Sequence, residues 1–408
     1  MSGGHDDLAG LRILVLGAGA LHEPAFLTWA RHGCRTTLVE GEESTGYETL
    51  VDDFLPLEVQ DDQQPDLDRL TELAARHDVI LTLSEMAQVT AAVVADRAAL
   101  RGTGVQAAQL ARDKYHQRKL AGSAGLRTVR CVQVDGTAAA DGLHIPMPPP
   151  WVVKPVDSGG SAAVSLVETP AELSAARKRA LAQSVSGRCV IEEFVPGREW
   201  SIEVLVTDGA IRFACSTAKT LVSPTCFVER RHVVGLQPEP TARAAVYETV
   251  RRMVSLFQVD TALCHLEVRV DGSRVTPIEM AVRPAGDAII ELVRLAHGRD
   301  LYAELVAALA GRTLAARQAP TSPYAGVEFL VATGTVLGTP RPADVVDRSA
   351  GIRYVIPTVG AGETLPPLDA NWSRAGRAVG TADSVAALER GLNGAMDAMA
   401  TAMGVTRT

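Results

Sequence analysis

CHLEVRVDGSRVTPIEMAVRP, residues 264–284, alternates apolar and polar side chains on either side of an Asp-Gly pair at Asp271–Gly272. Such alternation predicts two half-buried strands, and Asp-Gly between them predicts a hairpin. Each arm carries one glutamate near its middle, Glu267 and Glu279, and Arg283 follows the second arm. Successive strand residues point to opposite faces, so the loop decides whether the acids meet. A two-residue loop puts them on opposite faces and an odd-numbered loop puts them on one. The spacing leaves this register open. On a shared face two carboxylates repel unless a cation lies between them. A hard ion that prefers oxygen ligands, such as Mg2+, meets that need. Taken alone, the pair reads better as surface glutamates on a solvated hairpin.

The chain around this hairpin has 408 residues, enough for two to four domains. Hydrophobic residues make up 47% and charged residues 22%, the balance of a soluble globular chain. Aromatics are only 4%, so the core is expected to be Ala, Val and Leu. The formal net charge of -8 argues against a nucleic-acid partner. Six cysteines form no Cys-x-x-Cys pair and fall mostly in apolar runs, which predicts buried free thiols in a reduced compartment. The N-terminal MSGGHDDLAG is acidic and lacks the basic-then-apolar order of a signal peptide. No apolar run reaches membrane-spanning length. A cytoplasmic protein without a membrane partner is expected.

Upstream, LRILVL (11–16), RTTLVE (35–40) and DVILTLSE (78–85) alternate with helical stretches, which predicts a doubly wound domain over residues 1–112. GAGALH after the first strand, with Glu40 ending the second, resembles a dinucleotide fingerprint, but His22 stands at the third glycine position. A tight strand-to-helix turn without nucleotide is the better reading, with a dinucleotide-dependent oxidoreductase as the lesser one. Residues 113–185 begin with a helix, ARDKYHQRKLAGSAG, and continue through WVVKPV into the glycine-rich DSGGS. Residues 186–315 hold CVIEEFV, WSIEVLVTD, AIRFACSTA, a helix at 241–257 and the opening hairpin. Residues 316–408 hold GVEFLVAT, IRYVIPTV and a closing helix.

Lys154 ends an apolar strand just before the loop Ser158-Gly159-Gly160-Ser161. A cation beside free backbone N–H groups suits a phosphate chain. Lys114 begins the upstream helix. VIEEFVPGREWSIEV puts Glu192, Glu193 and Glu199 among apolar strand residues. Burying an unpaired charge is costly, so these acids need partners.

Asp113-Lys114, Lys154 with its glycine loop, EEFVPGRE (192–199) and HLE…PIEMAVRP, in that order, resemble the ATP-grasp superfamily over most of the chain. Within it the chain is similar to the carboxylate–amine ligases, including the L-amino-acid ligases that make dipeptides. The resemblance implies an α/β and α+β multidomain fold. A Rossmann-like pre-ATP-grasp domain (1–112) would precede a lid-bearing subdomain (113–185), a second subdomain (186–315) and a C-terminal α+β portion (316–408) completing the core. It implies ATP and Mg2+ (or Mn2+) as cofactors, and small-molecule carboxylate and amine partners. A homodimer is a further expectation.

Residue by residue, the resemblance gives Lys114 and Lys154 the ATP phosphates, with Ser158, Gly159, Gly160 and Ser161 closing over them. Glu192 and the backbone of Glu193 and Val195 would hold adenine, and Glu199 the ribose. Glu267 and Glu279 would hold the metal. Arg283 would steady the acyl phosphate or the oxyanion after it. Glu85, Glu229 and His232 would read the substrates. The family's metal strand reads Glu-x-Asn, and Ala281 stands here instead of the asparagine. That departure puts a second metal ligand in doubt. The expected activity is ADP-forming carbon–nitrogen ligation through an acyl phosphate. A biotin-carboxylase-like or purine-pathway carboxylase, and an ATP-binding protein without turnover, are the alternatives.

Overall fold

The computed structural model describes residues 8–19, 21–41, 46–136, 144–314, 319–341 and 345–408. Residues 1–7, on which most of the leader-peptide expectation rests, lie outside them. The first parallel sheet is built from β1 (Arg12–Leu16), β2 (Arg35–Glu40), β3 (Asp53–Pro56) and β4 (Val79–Leu81), in the order β3-β2-β1-β4. Residues 13–16 of β1 and all of β4 read as unbroken apolar runs because both faces are covered. Ile13 and Val15 pack on the side of α1 (Glu23–Arg31), with Phe26 and Trp29. Leu14 and Leu16 pack on the side of α2 (Leu67–Ala74) and α3 (Gln88–Arg97).

Two short helices, α4 (Val105–Ala111) and α5 (Lys114–Ser123), lead out of this unit. Asp113 caps α5 by accepting from the His116 backbone N–H at 2.9 Å. A small antiparallel sheet follows: β5 (Cys131–Asp135), β6 (Trp151–Pro155), β7 (Ser165–Val167) and, after α6 (Leu173–Gln183), β8 (Arg188–Glu193), in the order β5-β8-β6-β7. Trp151, Val153 and Ile191 pack there against Ala176 and Ala180 of α6.

The rest forms one eight-stranded antiparallel sheet in the order β13-β12-β9-β10-β11-β14-β17-β16. Its strands are β9 (Arg198–Thr207), β10 (Ala210–Ser223), β11 (Cys226–Val234), β12 (Ala262–Asp271), β13 (Arg274–Ala281), β14 (Tyr324–Phe329), β16 (Ile352–Pro357) and β17 (Gly376–Ala382). The helices α7 (Pro240–Phe257), α8 (Ile289–His297), α9 (Leu301–Leu309) and α10 (Val385–Met403) complete it, and a small ribbon pairs β15 (Ala332–Thr333) with β18 (Thr406–Arg407). Trp200, Ile202, Val204, Leu266 and Val268 turn to one face, against Val250 and Phe257 of α7. The alternate residues, Glu199, Ser201, Glu203, His265 and Glu267, therefore take the other face. The six cysteines are free. Among the described residues, no helix is long and apolar enough to cross a membrane.

Candidate active site

The polar face of the large sheet is the floor of a cavity of about 700 Å³, walled by the small sheet, the glycine loop and the N-terminal unit. That volume suits a nucleotide with a small substrate. Glu267 and Glu279 stand directly across from each other on β12 and β13. The hairpin loop is only two residues, Gly272–Ser273, because Asp271 pairs with Arg274. A regular ladder from that loop would set Glu267 against Ile278 and send Glu279 to the far face. Instead Val268 pairs with Pro277 and Glu267 with Glu279, so Ile278 is an extra, bulged residue. β13 is an edge strand, and Pro277 has no N–H to contribute to the ladder, which favours a bulge there. The odd-numbered loop expected for a shared face is thus replaced by a bulge.

A second bulge does the same on β11. Lys219 pairs with His232 and Leu221 with Glu229, which leaves Arg230 unmatched. Three residues apart on a regular strand, Glu229 and His232 would face apart. Here His232 Nε2 lies 3.4 Å from Glu229 Oε2 and from Asp287 Oδ2. Glu229 lines the cavity, but His232 does not. His232, expected to read the substrate, is fully buried beneath the wall, beside Glu229 and Asp287. Burial opposes its charge, but Glu229 and Asp287 outweigh burial and raise its pKa.

The other expected site residues all line this cavity: Glu85, Lys114, Lys154, Ser158 to Ser161, Glu192, Glu193, Val195, Glu199, Glu229, Glu267, Glu279 and Arg283. Lys114 Nζ lies 2.9 Å from Glu279 Oε1 and donates to the Ser158 carbonyl at 2.6 Å, which ties β13 to the glycine loop. Lys154 lies 2.9 Å from the buried Glu192, which also takes Arg118 at 3.0 Å. Burial lowers the Lys154 pKa despite Glu192. In Glu192 the cations outweigh the upward push of burial and keep it ionised. Glu85 is likewise committed: it accepts from Arg283 Nε at 2.7 Å and from Gln88 Nε2 at 2.9 Å. Burial pushes the Glu85 carboxyl up, but Arg283, Arg112 and Lys114 hold it at about 2.

Several cavity-lining side chains were missed in the sequence. Lys219 on β10 is almost fully buried and donates to Glu229 at 2.5 Å and to Glu267, with Glu199 at 4.0 Å. Burial works against its charge, yet the three carboxylates raise its pKa far above normal. Lys219 also holds Glu267 well below the usual carboxylate range, against the push of burial. One carboxylate oxygen from each of Glu199, Glu229 and Glu267 falls within 4.8 Å of the others. A lysine amid AIRFACSTA-KTLV breaks the apolar rule as Glu192 and Glu199 do, and that signal could have found it.

His265 was missed as well; its Nδ1 lies 3.0 Å from the buried Glu203 and its Nε2 3.4 Å from Glu267. Arg269 reaches Glu199 at 3.1 Å and the Val195 carbonyl at 3.3 Å, beside Phe194 and Phe227. The C-terminal segment adds Asn371, whose Nδ2 donates to Glu229 at 3.0 Å, and Arg374, which holds Asp287 at 2.6 Å. Asn371 also donates its backbone N–H to Gly160 at 2.8 Å, so this segment seats the glycine loop.

These residues fit the groups that the resemblance implies. Opposed carboxylates offering only oxygen suit a hard divalent ion. The two lysines and the loop suit a phosphate chain, and the apolar wall of Val129, Val152, Phe227 and Ile278 suits a purine ring. Ala281 lines the cavity and offers no ligand.

Residues 147–291 match the family model of the ATP-grasp domain. The chain thus carries an ATP-grasp domain and has the ATP-grasp fold. It is similar to an L-amino acid ligase from Bacillus licheniformis (TM-score 0.81, 21% identity, 95% of this chain and 98% of that one). It is also similar to a phosphoribosylglycinamide synthetase from Anaerococcus prevotii (TM-score 0.70, 15% identity, 98% and 100%). Among curated relatives, a D-alanine–D-alanine ligase of Ruegeria pomeroyi is 38% identical over 103 residues, 25% of this chain and 32% of the relative. An alanine–anticapsin ligase of Bacillus subtilis is 26% identical over 251 residues, 55% and 52%. The chain therefore spans about a third to a half of those relatives' lengths.

Proposed function

We propose that the protein is an ATP-dependent, ADP-forming ligase that joins a carboxylate, an amino acid in this reading, to an amine. The observation that carries this is the pairing of Glu267 with Glu279 across β12 and β13, beside Lys114, Lys154 and the glycine loop, in one cavity. The similarity to amino-acid ligases supports the choice within the fold. Glu267 and Glu279 would hold Mg2+, whose charge, when bound, offsets that of the phosphate oxygens.

A carboxylate and an amine do not condense unaided because hydroxide is a poor leaving group. Attack of the carboxylate on the γ-phosphorus, with loss of ADP, gives an acyl phosphate. The amine then adds to the acyl carbon, and phosphate leaves from the tetrahedral oxyanion. Lys114, Lys154 and the backbone of residues 158–161 bind and orient the phosphates. Arg283, held by Glu85, faces the developing negative charge. The loop excludes water that would hydrolyse the intermediate. Arg269 and the apolar wall position the nucleoside, with Glu199 at the ribose. No side-chain nucleophile is required.

The test is phosphate release with ATP, Mg2+ and the twenty amino acids in pairwise pools, with mass spectrometry on active pools. The expected result is release that needs two amino acids and a product lighter than their sum by one water. Turnover that needs bicarbonate and no amine would replace this reading with a carboxylase. ATP binding with no ADP in any pool would count against turnover altogether.

A further inference from the structure

Among the described residues, seven lysine and arginine side chains line the cavity. Six have a carboxylate at ion-pair distance: Lys114 has Glu279, Lys154 has Glu192, Lys219 has Glu229, Arg269 has Glu199, Arg283 has Glu85 and Arg374 has Asp287. The seventh, Arg377 on β17, has none among the described residues. It is 8% exposed, and its buried Nε has no hydrogen-bond partner. Among the described residues, the rest of its guanidinium has only the Tyr354 hydroxyl as a neutral hydrogen-bond partner, and that hydroxyl itself donates to Glu291 at 2.5 Å. Across the sheet Arg377 faces Phe329 on one side and Ile356 on the other, both without charge.

A guanidinium cannot shed its proton in a protein, so the charge stays. Burying such a charge without a carboxylate is costly, and each of the other six cations has one. The partner of Arg377 is therefore to be sought in what enters the cavity. A planar fork of donors suits a carboxylate.

Which carboxylate follows from position. The phosphates belong to Lys114, Lys154 and the glycine loop. Arg377 lies on β17, five strands away from β12 in the sheet order. Its surroundings are instead the N-terminal unit: Tyr47 feels its charge, and the Tyr47 hydroxyl accepts from the His22 backbone N–H at 3.0 Å. In the ligation the acyl carbon lies between the phosphate and the incoming amine. The end of the cavity farther from the phosphates thus belongs to the amine substrate.

We propose that Arg377 binds a free carboxylate on the amine substrate, one that takes no part in bond formation. The acceptor is then an amino acid rather than a simple amine, and the product keeps a terminal carboxylate. The His22 end of GAGALH, which resembles a dinucleotide loop, becomes a wall of this subsite. This inference rests on the ligase reading.

The experiment compares each of the twenty amino acids with its C-amide as acceptor, at the donor found in the pooled assay. The enzymes are the wild type, Arg377→Met and Arg377→Lys. The expected result is a fall of roughly tenfold to a hundredfold in kcat/KM for the free acids in Arg377→Met, carried by KM. The amides should change at most a few-fold, and Arg377→Lys should recover part of the loss. Removing a buried unpaired charge should not lower Tm, so misfolding would not explain the result. Equal losses for acid and amide, or no loss, would overturn the proposal. So would a loss confined to donors that carry a second carboxylate. Should no pool release ADP, calorimetric titration of the twenty-amino-acid pool still decides. Weaker binding to Arg377→Met would keep the subsite while the ligase reading fails, and equal binding would remove the subsite.

Discussion

Glu267 faces Glu279 only because Ile278 bulges out of β13 between them and the hairpin loop. A two-residue loop and a regular ladder would have separated the two acids. Lys114 then reaches Glu279 and Lys219 reaches Glu267, so each acid already has a cation beside it. The pair is held in place by the chain's own cations, which is the preorganisation that the proposed metal site needs.

The first prediction follows from that pair. Glu279→Gln should reduce ADP formation by at least about a hundredfold, the scale of losing one transition-state charge contact. It should leave Tm within a few degrees, since Glu279 keeps 20% of its side chain exposed, Gln keeps an acceptor for Lys114, and Lys114 keeps the Ser158 carbonyl. Phosphate release and thermal melting check the two halves separately. Near-normal turnover would remove Glu279 from the metal site.

The fold was legible where physical rules act over short spans. ILVL (13–16) is apolar throughout because Ile13 and Val15 meet one core and Leu14 and Leu16 another. The candidate site was legible as residue types in order. It was illegible as geometry, because face parity depends on single extra residues, Ile278 and Arg230, that no periodicity announces. Arg374 and Arg377 were hidden for a different reason. Each reaches the cavity from a strand or connection far along the chain, and only the strand order of the large sheet brings them in.

Lys219 should be the structural keystone of the acidic cluster. Lys219→Met leaves Glu199, Glu229 and Glu267 close together without their shared cation. Removing one partner from a buried ionic cluster costs about 3–5 kcal/mol. Urea melts should show that loss, and added Mg2+ should recover part of it by taking the same oxygens. A variant as stable as the wild type would mean that the three carboxylates share a proton instead.

The glycine loop is seated on Trp372. Gly160 has φ +62°, and a Cβ there would lie 2.8 Å from Trp372 Cζ3. Gly160→Ala should therefore push the loop off its seat and raise the KM for ATP by about tenfold, on the scale of 1–2 kcal/mol for a left-handed L residue. Trp372→Ala in the same chain should relieve the contact and recover part of that loss, while the strain at φ +62° remains. If the double variant is no better than Gly160→Ala alone, the Trp372 contact does not seat the loop.

The acid limb of stability should report on His22. Burial, and then the nearby Arg283, hold its pKa at about 3, so it is neutral in the folded protein. Its Nδ1 lies 3.0 Å from the Tyr302 hydroxyl. In the unfolded chain the same ring takes a proton near pH 6.5. Between pH 6.5 and 3 the unfolded state thus binds a proton that the folded state refuses, and stability falls as pH falls. The loss should reach roughly 2 kcal/mol by pH 5, at about 1.4 kcal/mol per unit. His232 has the opposite shift: below pH 6.5 it is charged in both states and adds no slope in this window. Burial lowers His297 as well, so it contributes a smaller slope of the same sign. Urea melts from pH 7.5 to 5 should therefore show a steep limb in the wild type and a shallower one in His22→Phe. Identical limbs would mean that His22 takes its proton at the same pH folded and unfolded, and that the cavity wall beside Arg283 gains a positive charge below pH 6.5 despite its burial.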